Sequence, residues 1–181
     1  KAQVCIHLLC IREQKILGSK SFYPVIPSDS EDSEIIQAFI MQHYLGDDVE
    51  QHQIAKEIVI SEDIPDVIML ERLLSSQVEQ EVKISSRVKV ERTNYLKLAN
   101  TNAKTALETK NSHQESIKAR FVALNEVFEL AESISRLECF DISHTMGQQT
   151  IASCVVFNQE GPLKSDYRRY NVHGITPGDD Y

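Results

Sequence analysis

Residues 137–143 spell LECFDIS, an apolar run with one carboxylate, Asp141, near its middle. Branched and aromatic side chains in such a run are typical of a β-strand. After the turn that contains Gly147, residues 150–157 (TIASCVVF) form a second apolar run, and a third strand is predicted over residues 163–172. The sequence therefore predicts three consecutive antiparallel strands, with an acidic residue on the first.

Asp141 is the residue of this segment that points to chemistry. A carboxylate within an apolar strand is costly unless it meets a cation or a hydrogen-bond network, and on a two-residue period it shares a face with Leu137, Cys139 and Ser143. Phosphodiester hydrolysis needs a hard cation, which carboxylates hold. Three antiparallel strands that begin with an acid are the opening of an RNase H-type nuclease fold. A structural hydrogen-bonding role for Asp141 fits the pattern equally well.

Residues 1–87 alternate between short apolar runs and amphipathic helical patterns. This order predicts a small α/β unit whose last strands are parallel across helical crossovers. Neither of its first two strands carries an inward-facing Asp or Glu, so we expect a non-catalytic scaffold or docking domain. The predicted order is strand (residues 4–12), strand (16–25), helix (33–45), strand (57–60), helix (from Pro65) and strand (82–84).

Residues 88–134 have a helical pattern and are predicted to be a connector. Two apolar faces, one around Leu96 and another around Phe121, fit either one long helix or a helical hairpin interrupted near Asn111. Lysines along the polar side could contact phosphates, although a solvated helix face explains them equally well. These are Lys97, Lys104 and Lys110.

Charge is segregated along the chain, whose net charge is −8. Residues 29–91 hold fifteen Asp and Glu against five Lys and Arg, whereas residues 83–120 hold nine Lys and Arg against three Glu. A chain that is acidic overall can still present a basic stripe to phosphates when its charges are separated in this way.

The composition also indicates a compartment. The four cysteines include no C-x-x-C pair and are expected to be buried free thiols, with a zinc site as the remote alternative. No apolar run approaches the roughly 20 residues that span a bilayer, and the first residues lack a secretory cleavage site. We therefore expect a cytoplasmic protein without a membrane partner.

Residues 138–161, ECFDISHTMGQQTIASCVVFNQEG, and the following PLKSDYRRYNVHGITPGDDY resemble the nuclease signature of the UvrC family almost residue for residue. The stretch YLKLANTNA at residues 95–103 also resembles the connector helix of that family. Upstream the resemblance is looser but continuous in order. Gln148 stands where Glu is common in the family, at a predicted surface turn.

The resemblance implies a DNA-repair nuclease. UvrC proteins join damage-bound UvrB, with UvrA acting indirectly, and cut the damaged DNA strand on both sides of a lesion. Their RNase H-like endonuclease domain, expected here over residues 135–181, makes the 5′ incision with Mg²⁺ or Mn²⁺. The catalytic, metal-binding Asp of the family's FDIS motif falls on Asp141, and the second Asp of GDDY, also catalytic, falls on Asp180.

Basic residues close to these motifs are the candidates for nucleic-acid binding. Arg168 and Arg169 match the RRYN of the family, and Lys164 precedes them. Packing or a salt bridge with Asp166 is the alternative role for the arginines. His144 is also shared with the family, and we expect it to stabilise the turn rather than to bind metal.

The predicted fold class is thus α/β: a small α/β unit, a long helical connector, and the first three antiparallel strands of an RNase H-like nuclease domain. The resemblance implies that the chain is an internal piece of a longer protein, because further family motifs would lie beyond Tyr181. The isolated chain is therefore expected to be inactive. The alternative function is a non-catalytic docking or DNA-binding module.

Overall fold

The structure, a computed structural model, describes residues 3–46, 54–145 and 149–172. It divides into two compact units, residues 1–108 (unit 1) and residues 109–181 (unit 2). The α/β class predicted from the sequence is confirmed. The elements are β1 (Ile6–Arg12), β2 (Lys15–Phe22), α1 (Asp32–Tyr44), β3 (Glu57–Val59), α2 (Val67–Val78), β4 (Lys83–Ser85), α3 (Val90–Val127), β5 (Arg136–Thr145), β6 (Gln149–Asn158), β7 (Gly161–Pro162) and β8 (Arg168–Val172).

Unit 1 contains an antiparallel hairpin, β1–β2, and a parallel pair, β3–β4. The parallel pairing confirms the prediction of a crossover through α2. Glu13 and Gln14 form the hairpin turn with φ angles of 49° and 63°, values that glycine or asparagine adopts more readily. The Tyr95 hydroxyl donates a hydrogen bond of 3.0 Å to the Gln14 carbonyl, which helps to hold this turn.

The core of unit 1 lies among α1, α2 and the β3–β4 pair. Leu70, Leu74 and Val82 are completely buried, because α2 places one apolar face against β4. Polar side chains of α2 secure the same contact, since Ser75 and Glu71 accept hydrogen bonds of 2.9 Å from backbone amides at Val82 and Ile84. The remaining core residues are Ile40, Tyr44, Ile54, Ile60, Ile64 and Ile84.

The connector is one continuous helix, α3, of 38 residues, so the hairpin alternative is wrong. The polar residues around Asn111 do not interrupt it. Its first half packs on the β1–β2 hairpin, where Asn102 and His7 are joined by a side-chain hydrogen bond of 3.3 Å. No helix among the described residues is long and apolar enough to cross a bilayer.

Unit 2 contains a sheet in which β6 is central, with β5 on one side and β7 and β8 on the other. All pairings are antiparallel, as predicted. The third strand, however, is not continuous over residues 163–172. It is broken by a short 3-10 turn at Lys164–Asp166 and resumes at Arg168, so Lys164 belongs to a turn and not to a strand.

The cysteines differ in part from expectation. All four are free thiols, but only Cys154 is buried, and Cys10 and Cys139 are exposed. Cys139 lies on β5, on the face of the sheet that carries Asp141, and both side chains are exposed. The predicted free state is confirmed, and the predicted burial is wrong for these two residues.

Candidate functional site

The candidate site is a row of residues that crosses the sheet of unit 2. Asp141 of β5 pairs directly with Ser153 of β6, which pairs in turn with Arg169 of β8. Directly opposed residues of antiparallel strands point to the same face of a sheet. Because neighbouring strands lie about 4.8 Å apart, the backbones of Asp141 and Arg169 are about 10 Å apart. The row therefore carries a carboxylate and a guanidinium on one face.

Asp141 lies in an open environment. Its side chain is exposed, and the Ser143 hydroxyl donates a long hydrogen bond of 3.5 Å to its Oδ2. Its apolar neighbours in the sequence are Phe140 and Ile142, which would make a buried carboxylate costly. Both point to the opposite face, and they are themselves 58% and 59% exposed. Asp141 consequently keeps lone pairs that a cation or a water molecule can use.

Oxygen atoms of carboxylates are the ligands that Mg²⁺ and Mn²⁺ prefer, so Asp141 fits one position of such a site. A complete site is not assembled by the residues that the structure describes, since no three His, Cys, Asp or Glu side chains among them are grouped closely enough to hold a metal ion. Asp180, the second predicted catalytic residue, lies outside the described residues. Of the two predicted catalytic carboxylates, the described residues thus include Asp141 alone.

The two adjacent arginines have different surroundings. Arg169 shares the face of Asp141, whereas Arg168 pairs with Cys154 and belongs to the opposite face. The Arg168 guanidinium donates hydrogen bonds of 2.8 Å and 2.9 Å to the carbonyls of Ser165 and Tyr167. These contacts hold the turn before β8, so Arg168 is engaged locally and Arg169 is the arginine beside Asp141.

Asp166 is bound to neither arginine of the RRYN segment by a direct hydrogen bond. Its carboxylate accepts a hydrogen bond of 2.5 Å from Arg136, which also donates one of 2.7 Å to Glu138. The hydrogen bond from Arg136, followed by one from Ser165, lowers the pKa of Asp166 below its ordinary value of 3.8, and Arg168 adds a weaker electrostatic contribution. This cluster ties the start of β5 to the turn before β8.

Lys164, the third predicted nucleic-acid contact, is exposed on that turn and lies outside the row. Ser153 is the residue of the row that sequence reasoning did not single out. The only sequence signal for it is its position on the second strand, and the pairing register must be known before that position can be matched to Asp141.

Comparison with known proteins gives two family-model matches. The UvrC Ribonuclease H-like domain matches residues 1–110, and the UvrC RNAse H endonuclease domain matches residues 125–181. Among curated relatives, UvrABC system protein C of Colwellia psychrerythraea is 68% identical over 186 aligned residues, covering 100% of this chain and 29% of that protein.

The protein of the same name from Shewanella sediminis is 51% identical and covers 98% of this chain, and that from Shewanella loihica is 50% identical with the same coverage. The chain spans 29% of the length of each of these relatives.

Proposed function

The chain belongs to the UvrC family, and from that premise we propose that it is part of an excision-repair endonuclease that makes the 5′ incision in damaged DNA. The observation that carries this proposal is the row Asp141–Ser153–Arg169. A carboxylate that can hold a metal ion and a guanidinium that can bind a phosphate lie on one face, about 10 Å apart across two strand spacings.

The residues have separate roles in this proposal. Asp141 would hold Mg²⁺ or Mn²⁺, and Asp180 would be a further catalytic carboxylate. The bound metal would supply polarisation of the phosphoryl group and activation of the attacking water. Ser143 donates a hydrogen bond to Asp141 and would limit its rotation. Arg169 would bind a phosphate of the strand being cut, because guanidinium groups bind phosphate oxygens in a bidentate manner.

The partners follow from the family. We propose that damage-bound UvrB recruits the protein to DNA, with UvrA acting indirectly before that step, and that the protein works in the cytoplasm. Lys164 and Arg168 remain candidates for nucleic-acid contact. Lys164 is exposed, but the hydrogen bonds of Arg168 to Ser165 and Tyr167 favour a local structural role for it.

A non-catalytic docking or DNA-binding module is the second candidate, and observations on unit 1 favour it there. Asp63 is paired with Arg87, and Asp66 is hydrogen-bonded to Gln37. Carboxylates that are already engaged in this way are less available as metal ligands. The two functions are compatible, since they concern different units of the chain.

The test is incision of lesion-bearing DNA by the natural-length protein, loaded with UvrB and Mg²⁺, with and without Asp141→Asn. The matched control is Glu138→Gln, which removes a carboxylate from the same strand but on the opposite face. We expect the first variant to lose the 5′ cut and to keep the 3′ cut, and the second to keep both. Unchanged 5′ incision by Asp141→Asn would reduce Asp141 to a structural residue.

The isolated 181-residue chain is expected not to cut DNA, because one described carboxylate does not form a metal site. Nicking of a supercoiled plasmid by the purified chain, dependent on Mg²⁺ and abolished by Asp141→Asn, would contradict this expectation.

A further inference from the structure

The two short helices of unit 1 are joined at one side. Gln37 of α1 donates a hydrogen bond of 3.3 Å to the Asp66 carboxylate, and the Asp66 amide donates one of 3.2 Å to the Gln37 side-chain carbonyl. Asp66 is the residue from which α2 begins. This reciprocal pair fixes the start of α2 against the middle of α1.

Exposed apolar side chains follow each of these two residues along its own helix. Met41 follows Gln37 by four residues, and Met69 and Leu73 follow Asp66 by three and seven, which are the spacings of one helix face. We call Met41, Met69 and Leu73 the α1–α2 seam. Their exposed fractions are 40%, 48% and 42%, although Leu70 and Leu74 beside them are completely buried. The three side chains of the seam therefore leave much of their apolar surface uncovered by the described residues.

The segments that carry the seam are strongly acidic. Residues 29–46 and 61–79, which include both helices, contain nine Asp and Glu and a single basic residue, Arg72. Two of these carboxylates have cations from elsewhere in the unit, since Asp63 pairs with Arg87 and Glu71 with Lys83. Such an excess of negative charge repels DNA phosphates and attracts cationic surfaces.

We propose that the α1–α2 seam is a docking site for a cationic amphipathic helix of a protein partner. The apolar side of that helix would cover Met41, Met69 and Leu73, and its lysines or arginines would face the surrounding carboxylates. Methionine is unbranched and adapts to different partner shapes, which suits such a groove. The site is independent of the nuclease row, because it lies in unit 1 and uses none of the same residues.

Methionine methyl groups provide a direct test, because the chain has only three methionines, Met41, Met69 and Met146. The probe is a synthetic helical peptide of about 18 residues, or about five turns, with leucine at every third or fourth position and lysine elsewhere. We expect its addition to the full chain to shift the ε-methyl NMR signals of Met41 and Met69, and to leave Met146, which belongs to unit 2, unchanged.

Substitutions distinguish binding of the peptide at the seam from general charge attraction. Leu73→Ser is expected to weaken peptide binding about tenfold or more through loss of buried apolar area. Arg72→Glu is expected to strengthen peptide binding at low salt, since it replaces the one Lys or Arg of residues 29–46 and 61–79 with a carboxylate. The matched control is Val25→Ser, which changes a 90% exposed apolar residue of the same unit outside the seam and should leave binding unchanged.

Three results would overturn the proposal. The first is the absence of any methyl shift at a large peptide excess. The second is an equal effect from a peptide of the same composition whose leucines are scrambled off one face. The third is a shift of Met41 and Met69 with protein concentration alone, which would assign the seam to a second copy of the chain.

Discussion

Asp141 and Arg169 lie on the same face of one sheet, separated by a single residue of the central strand, Ser153. Within the described part of the chain, neither the Asp141 carboxylate nor the Arg169 guanidinium takes part in an ion pair. A carboxylate and a guanidinium that are not paired with each other can each bind a different part of a ligand, whereas a direct ion pair would satisfy both. In the proposed function, the metal ion would lie at Asp141 and a phosphate of the DNA would lie at Arg169.

The adjacent arginines are expected to differ in DNA binding. Replacing Arg169 with Gln should lower the slope of the logarithm of the binding constant against the logarithm of salt concentration by about 1, because one phosphate contact is lost. Replacing Arg168 with Gln should leave that slope unchanged and lower the free energy of unfolding by about 1 kcal/mol, since two hydrogen bonds to carbonyls are lost. The measurement is DNA binding by the natural-length protein over a salt series.

Arg168→Gln is thus the control for Arg169→Gln, with the same chemical change one residue away on the other face. Equal salt slopes in the two variants would contradict the assignment of the phosphate contact to Arg169.

Gly161 is expected to tolerate no side chain. Its φ is +122°, a conformation that residues with a Cβ rarely adopt, so Gly161→Ala should lower the free energy of unfolding by about 1–3 kcal/mol. A Cβ there would also meet the Ile117 Cδ1 atom at 3.3 Å. Gly18→Ala is the control, because a Cβ at Gly18 would meet nothing within 4 Å.

Urea unfolding is measured for the parent, Gly18→Ala, Gly161→Ala and the double variant Gly161→Ala with Ile117→Val. The comparison separates the effect of the backbone conformation from that of the contact with Ile117. If the backbone conformation dominates, shortening Ile117 should restore little of the lost stability. Full recovery in the double variant would instead identify the side-chain contact as the cause.

Asp166 is expected to make unfolding of unit 2 depend on pH. Hydrogen bonds from Arg136 and Ser165 hold its pKa in the folded state below the ordinary 3.8. A lowered folded pKa gives stability that is present above the unfolded value, about pH 4, and is lost as the pH falls through the folded value. Asp166→Asn should therefore unfold at lower urea concentration than the parent at neutral pH, and the difference should disappear in strong acid.

Asp29→Asn, which removes the same charge from unit 1, serves as the control. A difference between Asp166→Asn and the parent that persists unchanged in strong acid would show that the Arg136 ion pair is not its source.

The secondary-structure elements could be predicted from the sequence more closely than the candidate site could. Helical and apolar patterns were sufficient to predict β3, β4, α1 and α2, because each of them contributes side chains to the core of unit 1. The break at Lys164–Asp166 was not predictable from the pattern, since Asp166 binds Arg136, which lies far away in sequence. The continuity of α3 through Asn111 could not be decided from the sequence either, since one long helix and a hairpin fitted its apolar pattern equally.

The face of Asp141 could be predicted from the two-residue period of its strand. Its relation to Arg169 could not, because the register of three strands decides which residues are opposed, and a shift of one residue would have placed Arg168 in the row instead. The sequence alone does not distinguish two adjacent arginines in a strand. The strand pairing is needed to show which of them lies in the row with Asp141.

The contrast between Leu73 and Leu74 provides the final prediction, because these neighbours in α2 have opposite surroundings. Leu74 is completely buried and Leu73 is 42% exposed. Leu74→Ala should lower the free energy of unfolding by about 2–5 kcal/mol, since it leaves a cavity in the core. Leu73→Ala makes the same change in helix propensity and should lower the free energy of unfolding by about 1 kcal/mol or less.

Leu73→Ala should nevertheless weaken binding of the cationic amphipathic peptide. A residue that contributes to binding but little to folding is expected where an apolar side chain is kept for a partner. Urea unfolding and peptide titration on the same two variants measure both quantities. A loss of stability in Leu73→Ala equal to that in Leu74→Ala would make Leu73 part of the core and remove the basis for treating the α1–α2 seam as a binding surface.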